Sequence, residues 1–196
     1  MSTNIEREFK TILTAAQAHA IAAAYPFAAA FTQTNHYFDT ASGALRQLHV
    51  GLRLRQFADH AEQTLKVPTG PGRTLTELTD PLPAGTASLQ LTATNTVGHW
   101  LRSQGITAPL TEFAVATTKR RLAELPAGLL TLDHTTYGNG RSDWELELEY
   151  HHRDAAAATF QAILTRFASP PRHRKTRWPA PPPIANHIYC IRALTC

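Results

Sequence analysis

Cysteine is nearly absent from this chain. The two present, Cys190 and Cys196, both lie at the C-terminal end, and neither sits in a CxxC or Cys/His spacing. A disulfide framework or a structural zinc site is therefore not expected. No apolar run is long enough to span a bilayer, and the N-terminus is polar and charged from Asn4 onward, so neither a membrane span nor a secretory signal is expected. The expected compartment is the cytoplasm. Charge is sparse, at 17% of residues, and the formal net charge of +4 with a pI near 9.3 suits an anionic partner. No compact basic run interleaved with aromatics accompanies it, so nucleic acid is not expected. Ser-His-Asp and Cys-His arrangements are missing too. The ten histidines lack metal-ligand spacing, and Thr69-Gly70-Pro71-Gly72 lacks the Gly-Lys-Ser/Thr ending and following helix of a phosphate loop. No internal repeat or coiled coil is visible.

What is present describes an ordinary globular chain. Its 196 residues, 43% of them hydrophobic, suffice for one sizeable domain, expected over residues 1–178. The run from Pro179 to Pro183 reads as a stiff connector, and Ile184 to Leu194 as a short terminal helix packing on the same domain. Helices are expected from Ala15 to Tyr25 with Thr14 as N-cap and Pro26 as stop, in pieces between Ser88 and Gln104, and from Ala155 to Phe167 with Asp154 as cap. About eight strands are expected, joined by turns or single helices: an antiparallel barrel or strongly curved sheet rather than βαβ units. Asp39, before a Gly43 turn, reads as a turn residue.

The strands sort their charge in an unusual way. In Ile5-Glu6-Arg7-Glu8-Phe9-Lys10 the residues Glu6, Glu8 and Lys10 fall at a spacing of two, which on one strand places them on one face. Trp144-Glu145-Leu146-Glu147-Leu148-Glu149-Tyr150 repeats the pattern with three carboxylates on one face and leucines on the other. Arg53 and Arg55 alternate with Leu52 and Leu54 in the opposite sign, and Lys66 sits on the next strand. Like charges about 7 Å apart repel by roughly 0.6 kcal/mol in water and about 2.4 kcal/mol at an effective dielectric near 20. A solvated face tolerates that. An enclosed one needs cations, and the combination then fits a divalent metal, Mg²⁺ or Mn²⁺, on the carboxylates and phosphate oxygens on the arginines and lysines. The facing of Lys119, Arg120 and Arg121 is not fixed by parity.

These residues resemble the signature of the CYTH superfamily, the triphosphate tunnel metalloenzymes. Glu6-x-Glu8-x-Lys10 carries the likeness, followed in the family's order by Arg53-x-Arg55, Leu65-Lys66, Thr76-Glu77-Leu78, Lys119-Arg120, Leu132-Asp133 and Glu145-x-Glu147. The resemblance implies an α+β fold: an eight-stranded antiparallel β-barrel, or tunnel, with a polar charged interior and flanking helices. It implies metal ligation by Glu6, Glu8, Glu145 and Glu147, with Asp133 a further candidate. It implies triphosphate binding by Lys10, Arg53, Arg55, Lys66 and Arg120, and a role for Glu77 in orienting basic neighbours or water. The family also places a basic residue after the penultimate helix; Lys175 is the first choice, with Arg174 and Arg177 as rivals. Lys10, Lys175 and Glu77 are thus the expected catalytic groups. The implied activity is metal-dependent hydrolysis of a small-molecule triphosphate, inorganic or organic, by a monomer or homodimer. The alternatives are a class IV type adenylate cyclase and a binding module without turnover.

Overall fold

The computed structural model describes residues 2–69 and 75–167. Contacts divide these into two compact units, one of residues 2–6 with Thr32–Thr117 and one of Arg7–Phe31 with 118–167. In each, an antiparallel sheet turns aliphatic side chains towards two helices and charged ones away from them. The α+β antiparallel architecture is the one expected.

The first unit holds β1 (Ser2–Glu6), β3 (Phe31–Thr40), β4 (Gly51–Gln56), β5 (Ala61–Pro68) and β6 (Leu75–Leu82), with the first half of β7 (Leu110–Leu125). They hydrogen-bond in the order β1-β6-β5-β4-β3-β7. Leu52 and Leu65 alternate out of β4 and β5 into a core with Leu45 of α2 (Ala44–Gln47) and Val97 and Leu101 of α3 (Thr96–Ser103). Asp39 is the penultimate residue of β3 rather than the turn residue expected: its carboxylate accepts hydrogen bonds from the backbone of Thr40, Leu45 and Arg46 and so seats α2. Asp80 does the same for α3, accepting from Thr96 and Val97, and those bonds pull its carboxyl below the usual range against the opposing effect of burial.

The second unit holds β2 (Glu8–Leu13), the second half of β7, β8 (Gly128–Tyr137) and β9 (Ser142–Glu149), ordered β7-β8-β9-β2. Leu130, Leu132, Leu146 and Leu148 are buried against Ile21 of α1 (Ala15–Ala24) and Phe160 and Ile163 of α4 (Arg153–Phe167). Thr14 caps α1 through a reciprocal box with Gln17, its Oγ1 accepting from Gln17 N at 3.3 Å and Gln17 Oε1 accepting from Thr14 N at 2.9 Å. Pro26 then blocks continuation.

Several boundaries differ from expectation. The opening strand is two strands broken at Arg7: β1 pairs with β6, and β2 with β9. Nine strands therefore stand among the described residues where about eight were expected, and Glu6 does not share a strand with Glu8 and Lys10. β6 runs through Pro81, because Pro81 lies opposite Glu62 at the end of the strand, where a missing N–H costs little. Residues 88–95 are not helical, and Asp154 lies in the first turn of α4 rather than ahead of it. No described helix is long and apolar enough to cross a membrane. The Pro179 connector and the terminal helix lie outside the described residues.

Candidate functional site

The charged side chains are largely withdrawn from solvent. In the second unit Glu8, Asp133 and Glu145 are only 4–6% exposed. Register brings them together: Lys10 on β2 stands opposite Glu147 on β9, and Asp133 on β8 stands opposite Glu145. Lys10 Nζ lies 2.7 Å from Glu147 Oε1, 3.0 Å from Glu8 Oε1 and 3.5 Å from Glu145 Oε1. Arg120 grips Asp133 in a two-pronged fork, Nε to Oδ1 at 2.8 Å and Nη2 to Oδ2 at 2.6 Å, and its Nη2 is 3.6 Å from Glu147 Oε2.

Burial opposes every charge here, and the neighbours overrule it. It would lower the Lys10 ammonium, but Glu147, Glu8 and Glu145 hold it well above the ordinary lysine value. Burial would likewise raise the Glu147 carboxyl, yet Lys10 and Arg120 hold it well below the carboxylate range. Arg120, despite burial, is raised by Asp133, then Glu147 and Glu8. Among the described residues four carboxylates, Glu8, Asp133, Glu145 and Glu147, stand with two cations, Lys10 and Arg120, at ion-pair distance. Asp133, Glu145 and Glu147 offer oxygens all within 4.8 Å of one another, the hard donors that Mg²⁺ and Mn²⁺ take. The Arg120 fork does not disqualify Asp133, because each carboxylate oxygen keeps a second lone pair.

The first unit carries the opposite sign. Arg53 and Arg55 alternate on one face of β4, opposite Tyr37 and Asn35 of β3 and Thr64 and Glu62 of β5. Arg55 donates from Nε to Asn35 Oδ1 at 2.9 Å and from Nη1 to Glu62 Oε1 at 3.3 Å. Glu77 Oε1 stands 2.7 Å from Lys66 Nζ and 3.7 Å from Arg53 Nη2. Burial would raise its carboxyl, but Lys66, Arg53 and Arg55 pull it down to about 2. Among the described residues three cations, Arg53, Arg55 and Lys66, share Glu62 and Glu77. Arg53 Nε is buried with no acceptor among the described residues.

Of the sequence-derived set, the second unit gathers Glu8, Lys10, Arg120, Asp133, Glu145 and Glu147, and the first gathers Arg53, Arg55, Lys66 and Glu77. The open question of the basic triplet is resolved: Arg120 faces the carboxylates, while Lys119 is exposed. Glu6 ends β1 opposite Leu75. Its side chain, and Lys175 with Arg174 and Arg177, lie outside the described residues. Sequence reasoning missed Asn35 and Glu62, which orient Arg55. Glu62 stands at even spacing from Lys66 on the same strand, a signal that was available; Asn35 gave none.

The family profile described as the CYTH domain matches residues 4–175. The chain is 35% identical over 188 residues to Putative triphosphatase YjbK of Bacillus subtilis, covering 90% of this chain and 94% of that protein. It resembles the crystal structure of a putative adenylate cyclase from Bacillus halodurans at a TM-score of 0.74 and 28% identity, over 89% of this chain and 97% of that one. A putative adenylyl cyclase from Hippeastrum, described as having a dominant triphosphatase activity, shares the fold at a TM-score of 0.68 and 17% identity, over 96% and 95% of the two chains.

Proposed function

The chain belongs to the CYTH domain family, and from that premise we propose that it is a divalent-metal-dependent triphosphatase acting on a small-molecule triphosphate. The observation that carries this reading is the cluster of Asp133, Glu145 and Glu147, with oxygens within 4.8 Å of one another, beside the largely buried cations Lys10 and Arg120. In this reading those three residues hold Mg²⁺ or Mn²⁺, with Glu8 and Glu6 completing the acidic set that the motif assigns. The bound ion supplies charge neutralisation at the phosphate oxygens.

The remaining work falls to the chain's own side chains. Lys10 and Arg120 meet phosphate oxygens and stabilise the charge that passes to the leaving phosphate chain. Arg53 presents its unpaired Nε to a phosphate oxygen, and Arg55, held by Asn35 and Glu62, adds positive charge beside it. Glu77 keeps Lys66 oriented. Lys175 remains our candidate for assisting the attacking water.

The test is phosphate release from tripolyphosphate, thiamine triphosphate, ATP and pyrophosphate with each divalent metal. Comparison is made with Glu147→Gln and Lys10→Ala. Release that requires the metal and falls at least about a hundredfold in both variants supports the proposal. Cyclic AMP formed from ATP would make the protein a cyclase, and metal-dependent binding with no turnover would make it a sensor.

A further inference from the structure

Gln33 is the polar side chain the fold leaves least explained. It lies on β3, two residues before Asn35, and is 2% exposed. The period of two puts it on the face that carries Asn35, which stands opposite Arg55 and accepts its Nε–H at 2.9 Å. Among the described residues no donor reaches Gln33 Oε1, and that atom is fully buried. Buried carboxamides in folded proteins are almost always satisfied, because leaving one unpaired forfeits its hydration without return. A structural role would be served better by leucine or methionine at this position.

The chemistry of the missing partner is specific. Arg55, bonded to Asn35 on the same face, suits phosphate oxygens, which only accept hydrogen bonds once ionised; a carbonyl oxygen on that face finds no partner in a phosphate chain. Oε1 needs an N–H or O–H. Resting on the triphosphatase reading above, we propose that Gln33 determines specificity. Its carboxamide takes a hydrogen bond from a donor on the organic part of the substrate, so that the preferred substrate is an organic triphosphate bearing an amine or hydroxyl rather than bare tripolyphosphate. The unliganded protein then carries an unpaired group that the substrate satisfies, a cost in stability retained for recognition.

The experiment uses the full chain with its divalent metal and compares wild type with Gln33→Met, which keeps length and shape but removes both polar atoms. Gln33→Leu is a second variant should the first not fold. Two quantities are read: the melting temperature without substrate, and the ratio of kcat/KM for thiamine triphosphate and for ATP to that for tripolyphosphate. We expect a melting temperature equal to or above wild type, together with a fall of about tenfold in the ratio for the favoured organic substrate, the loss of one well-placed hydrogen bond. A lowered melting temperature with an unchanged ratio makes Gln33 structural and overturns the inference. So does an equal fall on all three substrates, or a wild type that turns over tripolyphosphate alone. A wild type that hydrolyses none of them instead removes the triphosphatase reading, and this inference with it.

Discussion

Lys10→Met tests whether the carboxylates of the second unit are enclosed in a way that matters. The ammonium lies 2.7, 3.0 and 3.5 Å from Glu147, Glu8 and Glu145. At an effective dielectric near 20 each contact is worth about 5 to 6 kcal/mol, before the cost of burying the charge is subtracted. Removing one partner of a buried pair leaves a net loss of about 3–5 kcal/mol. Here three carboxylates lose their shared cation at once. Two carboxylate charges about 4.8 Å apart, the limit of the Asp133, Glu145 and Glu147 oxygens, repel by a further 3 to 4 kcal/mol on the same scale. We therefore expect Lys10→Met to lose about 4–5 kcal/mol at neutral pH.

The pH dependence separates this cause from lost packing. The Lys10 value is raised on folding, so its contribution is complete below the ordinary lysine value of 10.5 and disappears as pH rises through the folded value. The Glu147 value is depressed, so its contribution exists above the ordinary 4.5 and disappears as pH falls through the folded value. The deficit of the variant should be widest between those limits and narrow in acid, where the orphaned carboxylates protonate. Urea unfolding followed by far-ultraviolet circular dichroism at neutral pH and at about pH 4 measures both. Added Mg²⁺ should stabilise the variant more than the wild type. A loss under about 1 kcal/mol, the range of exposed ion pairs, or a deficit that does not change with pH, would refute the reasoning.

Three further outcomes follow from the same geometry. Glu77→Gln should cost about 3 kcal/mol at neutral pH, the value of moving the carboxyl from 4.5 to about 2, and variant and wild-type unfolding curves should converge as pH falls from about 5 towards 2. Asp133→Asn keeps the shape but removes the charge under the Arg120 fork; calorimetry should show a loss of about 2–4 kcal/mol, with a smaller stabilisation by Mn²⁺ than in the wild type. Gly128→Ala should cost more than about 2 kcal/mol, because its φ of 142° disfavours any side chain and the new Cβ would collide with the Glu149 carbonyl oxygen. Gly85→Ala, with φ 74° and open space around it, should cost only about 1 kcal/mol, and equal melting temperatures for the two would contradict this.

The parts of this protein that were legible from sequence are those where a period of two coincides with a change of chemistry. Leucines alternating with Glu145 and Glu147, and with Arg53 and Arg55, announce a strand with one face on a core and one face elsewhere, and both strands are there. The break at Arg7 was not legible, because nothing in Glu6-Arg7-Glu8 disfavours a continuous strand: what divides it is pairing, β1 with β6 and β2 with β9, which is a property of the distant partners. Asn35 was hidden for a related reason. Its neighbours on β3 are polar on both faces, so no alternation marks which side bears on Arg55.

The two clusters differ in a way that bears on how such a protein works. Among the described residues, the acidic one sets four carboxylates against two cations and the basic one sets three cations against two carboxylates. A network kept for stability alone gains by balancing its charges, because each buried excess charge costs several kcal/mol of hydration. The resident cations instead partly neutralise the carboxylates, and the resident carboxylates partly neutralise the arginines. This arrangement holds each side chain in place. Lys10 is the pivot on the acidic side: its ammonium keeps three carboxylates from expelling one another, and it would compete with a divalent ion for the same oxygens. If that is its role, replacing it with a neutral residue should tighten metal binding while lowering turnover. A uniform weakening of both would instead make Lys10 an ordinary structural partner.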